Sequence, residues 1–214
     1  MRDLSELILP TEQDRRRFGP RAGLYCMCRL ANVFLFASAF AFLVSDMIVP
    51  DVDASPAFGH WSSGQRALTV ADRTGDPAWE AATRWAVARW NESQADLRLT
   101  WTSGRGGCGY RGTTIAVCQE SAERLGSFGP LHLQGMADQQ RRGPHVRGAL
   151  IKVCSDCDLG SSRRRQVATH ELGHALGLLH SGRLGSVMYP SGGSESPDLL
   201  DHQELRRTYD HPDE

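Results

Sequence analysis

Two stretches of the chain alternate between apolar and polar residues, as the strands of a half-buried sheet do. Leu97, Leu99 and Trp101, for example, are separated by polar residues. The alternation predicts strands over residues 67–73 and 97–102, and two more short runs, residues 113–118 and 148–154, are strand-like.

Two further stretches place their apolar residues at helical spacing. Asp76 and Pro77 provide an N-cap and a proline at the first helical position, and tryptophans and alanines follow at helical spacing over residues 77–91. The serine pair at residues 161–162 can cap a second helix, which continues through the apolar positions of residues 167–178. The pattern therefore predicts two helices of more than three turns each.

The predicted strands and helices occupy residues 55–214 without an internal repeat. This part of the chain is therefore expected to form one mixed domain with a single core. Within it, residues 121–147 are rich in glycine, proline, glutamine and arginine, and they predict a long loop of functional or irregular structure.

The longest apolar run lies near the N-terminus, over residues 30–49, and several arginines precede it. This arrangement predicts a cleaved secretory signal, with cleavage after Ala54, or an uncleaved signal anchor. In both cases residues 1–54 comprise a cytoplasmic segment and a targeting segment. Residues 55–214 are then exported and are either secreted or held at the cell surface by residues 30–49, the only expected membrane contact.

Charge and cysteine content agree with an exported domain. Residues 55–214 carry 18 basic and 18 acidic side chains, and such a neutral domain lacks the positive field that binds nucleic acid. Their four cysteines are an even number, as an oxidising compartment favours. Proximity along the chain favours the disulfides Cys108–Cys118 and Cys154–Cys157. The second pair is spaced as CxxC and could instead form half of a zinc knuckle or a redox pair, but no second CxxC accompanies it.

The second predicted helix carries the string HELGHALGLLH. His170 and His174 are four residues apart, so both imidazoles lie on one helical face and can bind one ion. Gly177 can end the helix and turn the chain so that His180 supplies a third nitrogen. Three imidazoles with an open fourth position are typical of catalytic zinc, and Glu171 can reach a water on that ion without being a ligand.

This string, followed by Met188 eight residues after its third histidine, resembles the metzincin zinc peptidases and, among them, the matrixins. The extended pattern specifies five positions, so it is expected by chance about once in 10⁵ chains of this length. The motif itself covers residues 170–190, and a weaker match in the order of strands and helices covers about residues 60–210.

The resemblance implies an α+β catalytic domain with a twisted mixed sheet of about five strands, an active-site helix and a C-terminal helix over residues 198–209. It implies an extended substrate along an edge strand, for which residues 148–154 are the candidate. The implied site residues are the Zn²⁺ ligands His170, His174 and His180, the general base Glu171, the methionine turn at Met188, and the pocket residues Tyr189 and Pro190.

Three features differ from animal matrixins. The nearest candidate for a cysteine-switch motif, at Cys108, lacks the flanking residues, lies inside the domain and is expected in a disulfide, and no haemopexin-like module is expected. It also lacks the histidine and aspartate pattern of a structural zinc and calcium loop, so a Ca²⁺ site has no support in the residues. The chain therefore resembles a small secreted matrixin of bacterial type.

Together these patterns predict a monomeric zinc endopeptidase that hydrolyses peptide bonds in protein or peptide substrates through metal-activated water. The alternative is an exported zinc-binding recognition module without catalysis. The presence of Glu171 argues against this alternative, because a purely structural metal site has no use for a general base.

Overall fold

The computed structural model describes residues 59–104, 106–128 and 131–211. The predicted targeting segment, residues 1–54, lies outside these ranges. Within them, no helix is both long enough and apolar enough to cross a bilayer.

The described elements are four α-helices, eight strands and one short 3-10 helix, Ser63–Gln65. The helices are α1 (Pro77–Asn91), α2 (Ala122–Leu125), α3 (Ser161–Ala175) and α4 (Leu199–Tyr209). The strands are β1 (His60–Trp61), β2 (Ala67–Asp72), β3 (Arg98–Ser103), β4 (Thr114–Glu120), β5 (Ser127–Phe128), β6 (Leu131–His132), β7 (Gly135–Arg142) and β8 (His145–Cys154).

Six of these strands form one mixed sheet, which confirms the predicted α+β class. Strands β1, β8, β4, β2 and β3 are parallel neighbours in that order, and β7 pairs antiparallel with β8. One face of the sheet packs against α1 and α3, because alternate strand residues such as Val70 and Ile115 share a buried core with Trp90 and Leu172. Strands β5 and β6 form a separate hairpin.

Helix α1 has the bounds that the sequence pattern predicts. The Asp76 carboxylate accepts a hydrogen bond from the backbone N–H of Ala78 at 2.8 Å, and Pro77 follows as the first helical residue. Trp79 and Trp90 are buried, and their indole N–H groups donate to the carbonyl oxygens of Cys154 and Thr169. These bonds join α1 to the sheet and to α3 while satisfying two buried polar groups.

Both predicted disulfides are present. Cys108 is bonded to Cys118, and Cys154 to Cys157. The CxxC pair therefore closes a tight loop directly after β8 and does not serve as half of a zinc knuckle in this structure.

The prediction of a long loop over residues 121–147 is wrong. This segment contains α2, the β5–β6 hairpin, all of β7 and the start of β8. Strand β7 has few apolar residues, so it shows no alternation; half of its residues are exposed, and none is fully buried. It is a strand because its backbone pairs with β8 across a two-residue turn in which Gly143 has a φ of 59°.

The prediction that residues 148–154 form an edge strand is also wrong. Strand β8 has β4 on one side and β7 on the other, so residues 148–154 have no free edge for a substrate. Strand β7 occupies the border of the main sheet instead, and only β8 pairs with it within the described residues. Strand β8 is mostly apolar because both of its faces are covered: Ala149, Ile151 and Val153 lie in the main core, and Leu150 packs with Ala116 and Cys118.

Helix α3 begins differently from the prediction, whereas α4 agrees with it. Gly160, not a serine, is the N-cap of α3, and it makes no side-chain capping bond. The Ser162 hydroxyl instead donates to Glu195. Helix α4 begins after Asp198, which forms a reciprocal capping box with Asp201.

Candidate active site

The three histidines of the motif come together at the C-terminal end of α3. His170 and His174 lie one turn apart, and their Nε2 atoms are 3.1 Å apart. The ring centroid of His180 lies 4.7 Å from that of His174 and 5.3 Å from that of His170. One ligand atom of each ring lies within 4.8 Å of the others, so the three could hold one metal ion.

The glycine between the second and third histidines makes this convergence possible. Gly177 has a φ of 104°, a conformation that costs other residues energy. The Gly177 N–H donates to the His174 carbonyl and the Leu178 N–H to that of Gly173. These two bonds form a Schellman motif, which ends α3 and reverses the chain toward His180.

Backbone carbonyls orient the first two imidazoles. The Nδ1 of His170 lies 2.8 Å from the Val187 carbonyl oxygen, and the Nδ1 of His174 lies 2.7 Å from that of Leu178. Because a carbonyl only accepts, each Nδ1 carries the proton and each Nε2 presents a lone pair. The site therefore directs two acceptor nitrogens at each other with no proton between them.

This arrangement fits Zn²⁺. A tetrahedral zinc with Zn–N bonds of about 2.0–2.1 Å holds two ligand nitrogens about 3.3 Å apart, close to the 3.1 Å between the two Nε2 atoms. Burial lowers the pKa of all three histidines, and that of His174 falls to about 3. The imidazoles are therefore neutral near pH 7, as metal ligation requires.

Glu171 lies beside the histidines under strand β7. Its side chain is 8% exposed. Burial raises the pKa of its carboxyl to about 8, although a hydrogen bond from the Ala137 backbone opposes this shift. A Cβ on Gly135 would lie 2.7 Å from the Val167 Cγ1 and 2.8 Å from the Glu171 Cγ, so a larger residue there would press on both side chains. Sequence analysis singled out neither β7 residue, because their proximity to Glu171 depends on strand pairing.

Strand β7 also supports the end of α3. The Gln139 amide donates to the His174 carbonyl at 2.9 Å and to the Gly59 carbonyl at 3.2 Å, and its oxygen accepts from the Gly59 N–H. The edge strand is thus attached to the helical turn that carries the second histidine.

Met188 lies beneath the helix that carries the histidines. It is 2% exposed, and a Cβ on Gly173 would collide with its sulfur and with a Trp90 ring carbon 2.9 Å away. The Met188 carbonyl accepts from the Ser181 N–H at 2.9 Å. The absence of a side chain at Gly173 therefore lets the methionine turn pack directly against α3.

Asp201 of α4 holds this turn, and sequence analysis missed it. Its buried carboxylate accepts from the Ser186 hydroxyl and, at 2.9 Å, from the Val187 N–H. The Arg183 guanidinium donates to the same carboxylate at 2.8 Å. Because the Val187 carbonyl orients His170, Asp201 supports a histidine 31 positions earlier. The capping pair with Asp198, three residues before it, is the sequence signal that could have identified Asp201.

The segment after Met188 is fastened to the first half of α3. Arg165 forms a salt bridge with Glu195 at 2.6 Å, and Gln166 donates to the Gly193 carbonyl. Tyr189 is half-buried and Pro190 is exposed in this segment. A cavity of about 630 Å³ lies between α4 and the residues that follow Gly177. Neither Tyr189 nor Pro190 lines this cavity.

An α+β domain with three converging imidazoles, a glutamate beside them and a methionine turn beneath them has the features of the metzincin class. A family model described as Matrixin matches residues 65–203. The match covers well over half of the chain, and the chain belongs to the matrixin family.

Curated relatives have low identity and greater length. Stromelysin-1 of Mus musculus is 29% identical over 114 residues, which are 52% of this chain and 20% of that protein. Metalloendoproteinase 5-MMP of Arabidopsis thaliana is 29% identical over 163 residues, covering 67% of this chain and 43% of that protein. The chain thus spans less than half the length of either relative.

Solved structures with a similar arrangement include myroilysin, at 15% identity and a TM-score of 0.45, covering 71% of this chain and 96% of that one. A hatching enzyme zinc-protease from Oryzias latipes is 16% identical with a TM-score of 0.33, covering 59% of this chain and 52% of that one.

Proposed function

We propose that this protein is a zinc-dependent endopeptidase. The observation that carries the proposal is the pair of facing Nε2 lone pairs on His170 and His174, 3.1 Å apart, with the Glu171 carboxylate buried next to them. The two Nε2 lone pairs face each other at close distance without a proton between them, and a cation bound by both nitrogens would relieve their repulsion. His180 would be the third ligand, which would leave a fourth position on the ion for water or substrate.

Zinc in this site supplies Lewis acidity, which lowers the pKa of a bound water toward about 7 and polarises the scissile carbonyl. Glu171 is the general base: its carboxylate accepts the proton of the attacking water and delivers it to the leaving amine. A divalent cation nearby favours the ionised carboxylate, which counteracts the upward pKa shift that burial causes.

Strand β7 is the substrate-binding edge. An extended peptide adds to this edge through backbone hydrogen bonds, as peptides do at exposed sheet borders. Because β7 lies over Glu171 through Gly135 and Ala137, a peptide beside it has its backbone next to the base. Tyr189 and Pro190 line the pocket for the side chain that follows the scissile bond.

The substrates are proteins or peptides, and the enzyme acts as a monomer outside the cytoplasm. The two disulfides support an oxidising compartment. The enzyme is either released or held at the membrane by residues 30–49, with zinc as its catalytic metal.

The test is cleavage of a mixed peptide library by the full-length chain, with and without a zinc chelator. Glu171→Gln keeps the size of the side chain and removes the base, so we expect activity to fall about 10²–10⁴-fold while zinc content, measured by atomic absorption, is retained. Glu204→Gln on the exposed face of α4 is the control and should cleave normally.

Zinc-loaded protein that cleaves no peptide in the library would contradict the proposal and favour the non-catalytic recognition module. Cleavage that survives both chelation and Glu171→Gln would refute the assigned chemistry.

A further inference from the structure

Arg163, in the first turn of α3, lies between β7 and the segment that follows Met188. Its Nε donates to the side-chain oxygen of Gln134 at 2.5 Å, and its Nη1 donates to that of Gln166. Gly192 lies against the guanidinium, since a Cβ there would be 3.3 Å from Cζ and closer still to Nη1. The cation is therefore held by amides at the base of the segment that we assign to substrate binding.

No carboxylate among the described residues pairs with the charge of Arg163. Within the described residues, the two groups that accept hydrogen bonds from Arg163 are neutral amide oxygens. Nε and Nη1 donate these two bonds, and Nη2 donates neither. Its neighbours on α3 differ in this respect. Arg164 pairs with Asp76 at 3.2 Å and Arg165 with Glu195 at 2.6 Å.

Glu195 is an acidic residue of the segment that follows Met188, and its carboxylate already accepts hydrogen bonds. It accepts from Ser162 and from Arg165, and these hydrogen bonds lower its pKa. Arg163 is not among the groups that act on it. Within the part of the chain that the structure describes, this half-buried cation therefore has no carboxylate in salt-bridge contact.

A guanidinium in this position suits a carboxylate. Partly burying a charge is unfavourable unless a partner compensates it, and the planar fork of arginine matches the two oxygens of a carboxylate. The amides of Gln134 and Gln166 hold two of its donors and so orient the group before a ligand arrives. Such a preorganised guanidinium loses little conformational entropy on binding.

We propose that Arg163 selects substrates with aspartate or glutamate as the residue directly after the scissile bond. The inference rests on the proposed function, in which Tyr189 and Pro190, shortly before Gly192, line the pocket for that side chain. The free C-terminal carboxylate of a short peptide has the same chemistry, and the test separates it from a side chain.

The test uses quenched fluorescent peptides that are blocked at both ends and differ only after the scissile bond. Asp, Asn, Glu, Gln, Leu and Lys occupy that position in turn, and a separate peptide ends there with a free carboxylate. The zinc-loaded full-length chain is compared with Arg163→Gln and Arg163→Glu. Arg98→Gln, an exposed arginine of β3 at the opposite border of the sheet, is the matched control.

The wild-type chain should cleave the Asp and Glu peptides with kcat/KM at least about tenfold above their Asn and Gln counterparts, since hydrogen bonds between charged groups are about twice as strong as neutral ones. Arg163→Gln should remove this ratio, Arg163→Glu should shift the preference toward Lys, and Arg98→Gln should keep the wild-type ratio. Selectivity for the free carboxylate alone would overturn the assignment to a side chain.

A second readout does not need catalysis. Fluorescence anisotropy measures binding of labelled Asp and Asn peptides to zinc-loaded Glu171→Gln protein, with and without Arg163→Gln. Preferential binding of the Asp peptide without cleavage by the wild-type chain would contradict the endopeptidase and support Arg163. Cleavage with no acid preference, or a preference that survives Arg163→Gln, overturns the inference and leaves the endopeptidase standing.

Discussion

Replacing Asp201 by alanine should destabilise the domain and weaken metal binding together. The carboxylate accepts from Ser186, from the N–H groups of Val187 and Asp198, and from Arg183. Alanine leaves these donors without their acceptor in a site where Asp201 is 3% exposed.

The magnitude follows from these contacts. A buried donor without an acceptor costs about 1–3 kcal/mol, and breaking a buried ion pair costs about 3–5 kcal/mol. The ion-pair contribution is reduced here, because the Arg183 side chain is 38% exposed and retains Asp198. We therefore expect Asp201→Ala to lower the free energy of unfolding by about 3 kcal/mol. Loss of the support for Val187 should weaken zinc binding about 10–100-fold.

Urea unfolding at neutral pH, followed by tryptophan fluorescence of the metal-free protein, measures the first effect, and zinc titration measures the second. Glu204→Ala is the control on the same helix, because its pair with Arg207 is exposed and contributes at most about 1 kcal/mol. A difference of less than about 1 kcal/mol between the unfolding free energies of Asp201→Ala and Glu204→Ala is no more than a surface ion pair contributes. Such a result would mean that Asp201 does not hold the methionine turn.

Two further predictions concern the base and the acid stability of the domain. Gly135→Ala should lower kcat/KM about 10–100-fold without loss of zinc, because its Cβ would displace Glu171, whereas Gly64→Ala, with open space around it, should cleave normally. Equal activity of the two variants would rule out that contact. Partial burial raises the pKa of Asp198, but hydrogen bonds from Arg183 and the backbone hold it below the ordinary 3.8. The ionised Asp198 therefore stabilises the folded state at pH values above the pKa that it has in the unfolded chain. This stabilisation is lost as the pH falls through its lowered pKa in the folded protein. Asp198→Asn keeps an N-cap residue and should make the stability less dependent on pH below about pH 4. If the urea midpoints of this variant fall with pH as steeply as those of the wild-type chain, the result would argue against a stabilising pair between Asp198 and Arg183.

Local spacing explains which parts of the site were predictable. The Asp76–Pro77 start of α1 and the positive φ of Gly177 are properties of a few adjacent residues. The four-residue separation of His170 and His174 places them on one helical face whatever surrounds the helix. These features need no knowledge of the tertiary structure, and the sequence analysis found each of them.

Strand β7 was missed for the opposite reason. Its residues have little apolar alternation, and its conformation comes from pairing with β8. The same pairing encloses β8 and moves the substrate edge away from residues 148–154. An apolar run shows that a strand is buried, but it does not show which neighbour covers each side.

Spacing within short segments is sufficient to predict the cluster of three histidines, the two disulfides and the helix that presents the histidines. The tertiary structure shows which strand borders the main sheet, that Gly135 leaves room for Glu171, that Asp201 holds the turn at Met188, and that no carboxylate among the described residues pairs with Arg163. Those relations join residues that are far apart in the chain. They follow from the order of the strands and the packing of α3 and α4, which are set by burial of the whole core.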